Sequence, residues 1–187
     1  MPFSISPKHN IEDFPSGLML DDKIEVFIAR VEGWLIGPTM EMISKGISYR
    51  AFALLSIVTS YFEMIGKYTD GYVGKHRSGH YFKHGMKLVF PDMTLPDGED
   101  LLEALCDRVR NGLYHVGMTK PRVLLVDAGT VPGSIGYNAP QDLIAIAPDT
   151  LVNDIKIHFS VVATELRDKK NAKLRTNFEA RFDYDNT

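Results

Sequence analysis

The sequence feature that most constrains the fold of this chain is the spacing of apolar residues between positions 101 and 116. Successive residues of an ideal α-helix are about 100° apart, and one broad arc of this segment is then apolar or small. The members of that arc are Leu101, Leu102, Leu105, Val109, Gly112, Leu113 and Val116. The pattern predicts an amphipathic helix with one face on a core. Asp97 is placed to cap this helix, and Gly117 is a natural residue for its end.

The other side of the same helix carries an unusual set of polar groups. These are Arg110, Asn111, Tyr114 and His115, with Asp107 among them. Arg110 and His115 are about 140° apart on an ideal helix, so they bracket an amide and a phenol. A guanidinium stays charged and matches a phosphate, whereas an imidazole exchanges a proton near neutral pH, so the pair suits phosphodiester chemistry. A solvated helix face is the alternative interpretation of the same residues.

Two further residues bear on how an arginine would act in this segment. Arg108 also has an acceptable spacing from the histidine, so either arginine is a candidate. We prefer Arg110 because Asn111 follows it and because it lies on the polar face. Glu63 lies near the end of a segment, 49–66, that is apolar over most of its circumference and is therefore predicted to be a central buried helix. Its carboxylate is either exposed on a thin polar strip or paired with Arg110, which it would then orient.

Two more segments have helical periodicity. Residues 21–36 begin with two acidic side chains, which favour a helix N-terminus. Gly37 and Pro38 then predict a break or kink, after which the helix resumes. Pro148 opens a last helix that continues to Leu166, because apolar residues recur there every three or four positions.

The remaining segments complete the predicted architecture. Short β-branched runs at 122–126 and 143–147 predict a β-hairpin with a long loop. The proline-rich segment 1–17 predicts an irregular N-terminal arm, and 171–187 predicts a polar C-terminal tail that docks on another subunit or frays. We therefore expect a single, mainly α domain, an antiparallel bundle of four or five helices with a small β-hairpin insertion near 122–147.

Net charge limits the partners that this chain can bind without a dedicated site. Its 187 residues include 21 Lys and Arg and 24 Asp and Glu, a formal net charge of −3, so any nucleic-acid site needs a local basic patch. The local basic cluster is 67–87, where Arg77, His80 and Lys83 alternate with aromatic residues, as on nucleic-acid surfaces. Glycines argue against a continuous helix in this cluster. We predict either a solvated loop or a loop that faces RNA.

Neither a metal site nor a membrane segment is predicted. His76, His80 and His84 would form one column on a continuous helix, but glycines interrupt it and no acidic or cysteine ligand lies nearby. The single cysteine, Cys106, cannot form an internal disulfide, which fits a reducing cytoplasm, and it is expected to be a small packed residue. The N-terminus lacks the apolar run of a signal peptide, and the longest apolar run, near 51–58, is too short to span a membrane.

One six-residue motif in the first helix described above resembles the signature of the HEPN superfamily. It runs Arg110-Asn111-Gly112-Leu113-Tyr114-His115. In that signature a polar residue often follows an arginine, and a histidine lies four to six residues beyond the arginine. The setting is also similar, because the motif falls on a late helix after two long helices. The resemblance covers the motif and the general helical layout, and it implies a HEPN-like bundle.

The resemblance implies a mechanism. Many HEPN proteins are metal-independent RNases that act as toxins, in phage defence or in RNA processing, and they typically dimerise around one composite site. Carried onto this chain, His115 would be the general base or acid at the ribose 2′-hydroxyl, and Arg110 would hold the scissile phosphate. Asn111 would orient a partner group or the phosphate. Products would carry a 2′,3′-cyclic phosphate, and no cofactor would be needed because the nucleophile belongs to the substrate. RNA contacts are expected from Arg108, Tyr114, Arg77, His80 and Lys83, with Glu63 in support.

One departure from the family concerns the protein partner. HEPN toxins that pair with a minimal nucleotidyltransferase antitoxin often carry a tyrosine two residues after the histidine, and Gly117 stands there in this chain. We therefore do not expect that type of antitoxin, while another antitoxin or a regulatory protein stays a candidate partner. Some HEPN proteins are inactive and serve as nucleotide-binding, RNA-binding or interaction modules, which is the alternative function.

Overall fold

Helices make up most of the chain, and two π-helical turns join four of them in pairs. The computed structural model describes residues 3–94 and 96–187, with side chains outside 94–97. The α-helices are α1 (Leu20–Arg30), α2 (Gly37–Ser44), α3 (Arg50–Asp70), α4 (Ser78–Val89), α5 (Pro96–Ala104), α6 (Asn111–Val116), α7 (Pro148–Arg167) and α8 (Ala172–Asp185). The π-helical turns are Val31–Ile36, between α1 and α2, and Leu105–Arg110, between α5 and α6. The mainly α class is confirmed, although the described residues form six helical rods instead of four or five.

The first rod continues through Gly37 and Pro38, so of the predicted break or kink the break is absent, and the helix resumes as predicted. Gly37 has right-handed helical angles (φ −55°, ψ −55°), and its N–H bonds to the carbonyl of Glu32, five residues back. Pro38 lies in the first turn of α2. The wider π turn before it changes the hydrogen-bond pattern locally, so the proline ring is accommodated without ending the helix.

The central helix of the bundle is α3, which packs against α4, α7 and α8. Its crossing with α4 is close at the level of the backbone. A Cβ on Gly85 would lie 1.8 Å from the carbonyl oxygen of Phe62, and a Cβ on Gly66 would lie 2.3 Å from that of Tyr81. These glycines permit helix contact instead of breaking a helix. The loop predicted for 67–87 is therefore wrong at both ends, because α3 continues to Asp70 and α4 begins at Ser78.

The segment predicted as a polar tail, 171–187, is instead a helix of the core. Phe178 and Phe182 of α8 are fully buried. Arg175 and Arg181 are buried as well, and each donates a hydrogen bond to a backbone carbonyl of another segment. Those two arginines give the segment a polar appearance in sequence, which is why the pattern predicted a tail.

The predicted β-hairpin is wrong in its pairing. The strands of this sheet are β3 (Val123–Leu125), β4 (Ile135–Asn138) and β5 (Leu143–Ile146), numbered after the two N-terminal strands described next. The order is β3-β5-β4, with β3 parallel to β5 and β4 antiparallel to it. The strand β4 falls inside the segment predicted as a loop, because Gly136 weakens its β pattern. Ile144 and Ile146 of the middle strand are buried in the core.

The N-terminal arm is more ordered than predicted. Strands β1 (Ser4–Ser6) and β2 (His9–Asn10) form a small antiparallel pair. Ile5 and Ser6 are buried, and the Nε of Arg30 donates a hydrogen bond to the Ile5 carbonyl (2.7 Å). The arm is therefore fixed to the first helical rod.

The helix predicted over 101–116 is present, and it ends at Gly117 in the left-handed conformation (φ +77°). The fully buried members of the predicted apolar arc are Leu102, Leu105, Val109 and Gly112. Val116 is 68% exposed, contrary to prediction. The π-helical turn explains the difference, because its extra residue rotates α6 relative to an ideal helix. The side chain of Asp97, the predicted cap, lies outside the described residues.

Candidate functional site

Arg110, at the end of the second π-helical turn, is held by two partners. Its Nη1 donates a hydrogen bond to Asn111 Oδ1 (2.9 Å), and its Nη2 donates to Glu63 Oε2 (3.0 Å). Of the two interpretations of Glu63, the structure shows the pairing with Arg110. The Arg110 and Glu63 side chains are 14% and 18% exposed, so water screens this ion pair weakly.

Glu63 also binds Lys67, one turn further along α3, through its other oxygen (2.5 Å). Burial acts to raise the pKa of the Glu63 carboxyl, but hydrogen bonds from Lys67, Ser78 and Arg110 outweigh it and hold the pKa below its ordinary value. Glu63 is therefore a carboxylate at neutral pH. It sits between two cations, so the three groups together carry one positive charge.

Tyr114 packs its ring on the Arg110 guanidinium. The guanidinium carbon lies 4.9 Å from the centroid of the tyrosine ring, which is the geometry of a cation–π contact. The residue is 50% exposed. Burial raises the pKa of its phenol, and the charge of Glu63 raises it further. Tyr114 therefore stays protonated at neutral pH and can donate a hydrogen bond.

These side chains line a cleft of about 330 Å³. Its lining residues are Ser60, Glu63, Met64, Lys67, Tyr68, Arg110, Tyr114, Arg181 and Asp185. Three cations and two carboxylates give the cleft a net positive charge. Sequence reasoning did not assign Lys67, Arg181 or Asp185 to the site. The only sequence signal for them is the four-residue spacing of two ion pairs, Glu63 with Lys67 and Arg181 with Asp185.

His115 lies outside this cleft, five residues after Arg110 along the same helix. Its side chain is exposed and makes no hydrogen bond to the described part of the chain. Large apolar side chains on either side of it are also exposed, namely Tyr114 (50%), Val116 (68%) and Met118 (58%). His115 is therefore available to another molecule, and it does not stabilise this fold through a polar contact.

Arg108, the other candidate arginine, is engaged elsewhere. Its Nη1 donates to the Asp142 carbonyl (2.8 Å) and its Nη2 to Asp142 Oδ2 (2.5 Å). Hydrogen bonding to Arg108 is the main reason that the pKa of Asp142 is lowered. These bonds tie the π-helical turn to the turn between β4 and β5. The structure brings Arg110, and not Arg108, beside Glu63 and Tyr114.

The basic cluster is distributed along α4. Arg77 and His80 are exposed at the N-terminal end of this helix. Lys83 is bound instead to an acidic side chain of α5. Ser78 reaches Glu63 and contributes to its lowered pKa, so the N-terminal end of α4 adjoins the Arg110 cluster. Of the three predicted RNA contacts in this cluster, Arg77 and His80 therefore keep exposed side chains, but neither lines the cleft.

Metal, thiol and membrane features contribute nothing further to this site. Within 3–94 and 96–187, no group of three His, Cys, Asp or Glu side chains is arranged to hold a metal ion. His80 and His84 share α4, whereas His76 precedes it. Cys106 is buried, as expected of a packed residue. No helix in the described ranges is long and apolar enough to cross a membrane.

Comparisons of the chain with family models, with curated proteins and with solved structures find no match. The likeness to HEPN proteins therefore rests on the six-residue motif and its helical setting. Any function has to be argued from the geometry around Arg110 and His115.

Proposed function

We propose that this protein is a metal-independent RNA endonuclease that acts as a homodimer through Arg110 and His115. One observation carries the proposal: an exposed imidazole without a hydrogen-bond partner in the described chain lies on the same helix as a guanidinium held by Glu63 and Asn111. A histidine that stabilised the fold through a polar contact would have a hydrogen-bond partner within it, and His115 has none among the described residues. An exposed imidazole and a fixed cation that meet at one phosphodiester would suit its general acid–base cleavage.

The reaction would use the RNA's own nucleophile. His115 would take the proton of the ribose 2′-hydroxyl while the 2′-oxygen forms a bond to the adjacent phosphorus. The bond from phosphorus to the 5′-oxygen would break, and that oxygen would receive a proton from a second histidine or from water. The products are a 2′,3′-cyclic phosphate and a 5′-hydroxyl.

Arg110 would stabilise the charge that develops on the phosphate in this reaction. A guanidinium has five N–H donors, and Arg110 uses one for Asn111 and one for Glu63. The Nε of Arg110 is buried without a partner among the described residues, so the second hydrogens of the two Nη atoms would be the ones that bind phosphate oxygens. The two fixed bonds restrict the orientation of the guanidinium, which lowers the cost of organising it in the transition state.

A homodimer would complete the site. His115 does not line the cleft of its own chain, and the exposed Tyr114, Val116 and Met118 form an apolar surface around it. Such surfaces suit protein contact. In a two-fold dimer the same surface meets itself, which would bring both copies of His115 towards both copies of the cleft. The expected setting, a cytoplasmic toxin, a phage-defence protein or an RNA-processing enzyme, follows from the HEPN resemblance.

A non-catalytic RNA-binding or nucleotide-binding module is the second candidate, and a different observation favours it. Arg110 is largely buried and bound to a carboxylate, which is also how an arginine of purely structural role is held. In that case the positive cleft would bind a phosphate without turnover. An antitoxin or a regulatory protein would then bind the form of the protein that has a phosphate in this cleft.

The two candidates are separated by cleavage of a mixed RNA pool in EDTA. Wild-type protein is compared with His115→Ala and with a matched control, His76→Ala, which removes a different exposed imidazole. We expect His115→Ala to lower the rate by roughly 100-fold or more, His76→Ala to leave it unchanged, and the products to end in cyclic phosphate. Cleavage that survives in His115→Ala, or that EDTA abolishes, contradicts the mechanism. Binding without cleavage by the folded wild type supports the second candidate.

A further inference from the structure

A second cavity lies on another part of the molecule, between the segment after α4, the loop before β4 and the exposed side of α7. Its volume is about 810 Å³, within the range of sites for small organic molecules. Most of its lining is apolar, contributed by Val89, Phe90, Pro91, Met93, Leu101, Pro132, Ile135 and Ile157. Among the residues that the structure describes, it shares no lining residue with the Arg110 cleft.

Ser134 supplies an unused hydrogen-bonding group in this cavity. The residue is 2% exposed, and its Oγ has no hydrogen-bond partner among the described residues. Its backbone is fixed, because the N–H of Ala147 bonds to the Ser134 carbonyl (2.9 Å) and Gly133 before it has a left-handed conformation (φ +71°). A buried hydroxyl without a partner costs free energy, so this hydroxyl suits a ligand that would bind it.

His158 adds a second oriented polar group to the lining. Its Nδ1 lies 2.7 Å from the hydroxyl of Tyr61, a residue with no exposed surface. That bond fixes the imidazole ring and leaves its Nε2 for another partner. Burial lowers the pKa of His158, so the ring is neutral at pH 7 and contributes no charge to the cavity.

The charges of the cavity have one sign. Asp92 and Asp154 line it, whereas no lysine or arginine is among the described residues of the lining. Asp154 is half-buried and Asp92 is exposed, and neither carboxylate forms an ion pair within the described chain. The cavity therefore combines an apolar wall, an unused hydroxyl and a negative potential. An anionic ligand would be repelled and a cationic one attracted.

We propose that this cavity binds a small amphiphilic molecule that has an apolar body and a positively charged amine. The body packs on Phe90, Met93 and Leu101, and the amine lies at Asp154. A hydrogen-bonding group of the ligand reaches the Ser134 hydroxyl. The site is independent of RNA cleavage, so it stands whether or not the proposed ribonuclease activity is found.

The test uses three probes with the same body and different charge: 4-phenylbutylamine, 4-phenylbutanol and 4-phenylbutyrate. Binding to the full chain is measured by calorimetry at low ionic strength. We expect the amine to bind roughly two- to fivefold tighter than the alcohol, the effect of one partly shielded ion pair, and the carboxylate to bind weakest. Equal binding of all three, or no binding of the amine at millimolar concentration, overturns the proposal.

Two substitutions on one helix locate the binding. Ile157 lines the cavity and is 64% exposed, so Ile157→Trp should keep the fold and obstruct the cavity. Val161→Trp, one turn further along α7 at a residue that is 52% exposed and outside the lining, is the matched control. We expect Ile157→Trp to weaken amine binding at least tenfold and Val161→Trp to leave it unchanged. Equal binding by both variants places the amine elsewhere and overturns the proposal.

Two conservative variants test the polar contacts. Asp154→Asn should bring the amine and the alcohol to nearly equal affinity, because it removes the charge and keeps the shape. Ser134→Ala should weaken both ligands by a few-fold. The same variant should unfold at an equal or higher temperature than wild type without ligand, because it removes a buried hydroxyl that has no partner. An amine preference that persists in Asp154→Asn contradicts the assignment of the amine to that carboxylate.

Discussion

Substituting Gly85 by alanine tests the contact that positions α4 on the central helix. The new Cβ would lie 1.8 Å from the carbonyl oxygen of Phe62, whereas ordinary contact begins at 3.4 Å. The two helices would therefore have to separate locally by about 1.6 Å. A gap of 0.5–1 Å already loses a quarter to a half of the dispersion energy between facing atoms. The side chains that face each other where α3 crosses α4 would therefore all lose part of this energy.

The expected cost follows from these opposing terms. Overpacking of a core typically costs about 1–3 kcal/mol and occasionally more. Because the obstacle to the Gly85 Cβ is a backbone carbonyl 1.8 Å away, we take a cost above that range, about 3–5 kcal/mol. Replacing glycine by alanine inside a helix stabilises that helix by about 1 kcal/mol. We expect Gly85→Ala to lower the free energy of unfolding by roughly 2–4 kcal/mol. For a chain of this size that corresponds to a fall in Tm of roughly 4–16 °C.

The matched control is Gly79→Ala in the same helix. Its Cβ would meet only the Sγ of Cys106, at 3.2 Å, and that side chain can shift by a few tenths of an ångström. We expect this variant to stay within about 1 kcal/mol of wild type. Both variants are measured by urea unfolding, with the m-value as a check that the unfolded state is unchanged. Equal stability of the two variants would refute the close contact of α3 and α4.

Three further predictions follow from the same structure. The pKa of Glu63 is lowered, so its charge stabilises the fold fully above its ordinary pKa of 4.5 and less as the pH falls through the folded value. Glu63→Gln should therefore flatten the decline in unfolding free energy between about pH 5 and 3. An unchanged decline would exclude this carboxylate as the cause of the loss of stability in acid. Phe178→Ala should lower the free energy of unfolding in urea by about 3–5 kcal/mol, whereas Thr176→Ala, at an exposed residue, should lower it little. A small loss of stability in Phe178→Ala would mean that α8 is not part of the core. Arg77→Gln should weaken RNA binding and reduce by about 1 the slope of the logarithm of the binding constant against the logarithm of salt concentration. Lys83→Gln should have a smaller effect, because that ammonium is already paired. Equal effects of the two substitutions would contradict this distinction.

Local signals in the sequence predict the helices well where they are undisturbed. The bounds of α7 were predicted closely, because Pro148 marks its first turn and its apolar stripe needs no long-range partner. Local signals do not predict the parallel pairing of β3 with β5, because the choice between parallel and antiparallel strands depends on contacts across the fold. The burial of α8 depends on Arg175 and Arg181 reaching carbonyls of other segments, and no periodicity predicts that.

The site could be predicted in outline for a physical reason. A carboxylate on a mostly buried helix needs a partner, and this requirement suggested Glu63 with Arg110 as one of two possibilities, although 47 positions separate them. Arg181 and Asp185 of the cleft come from α8, which the sequence pattern placed outside the core. The orientation of His115 could not be predicted either, because an ideal helix was assumed through a segment that contains a π-helical turn.

That turn has a consequence for how the direction of His115 is set. The segment Leu105–Arg110 contains one residue more than the same turn of an α-helix would need. Deleting one residue there would leave an unbroken helix and would turn everything beyond it by about 100°. The packing of α5 would stay as it is, while the histidine would point to a different side of the molecule. The direction of the His115 side chain is thus set by the number of residues in the π-helical turn. It can change while every side chain of the motif stays the same.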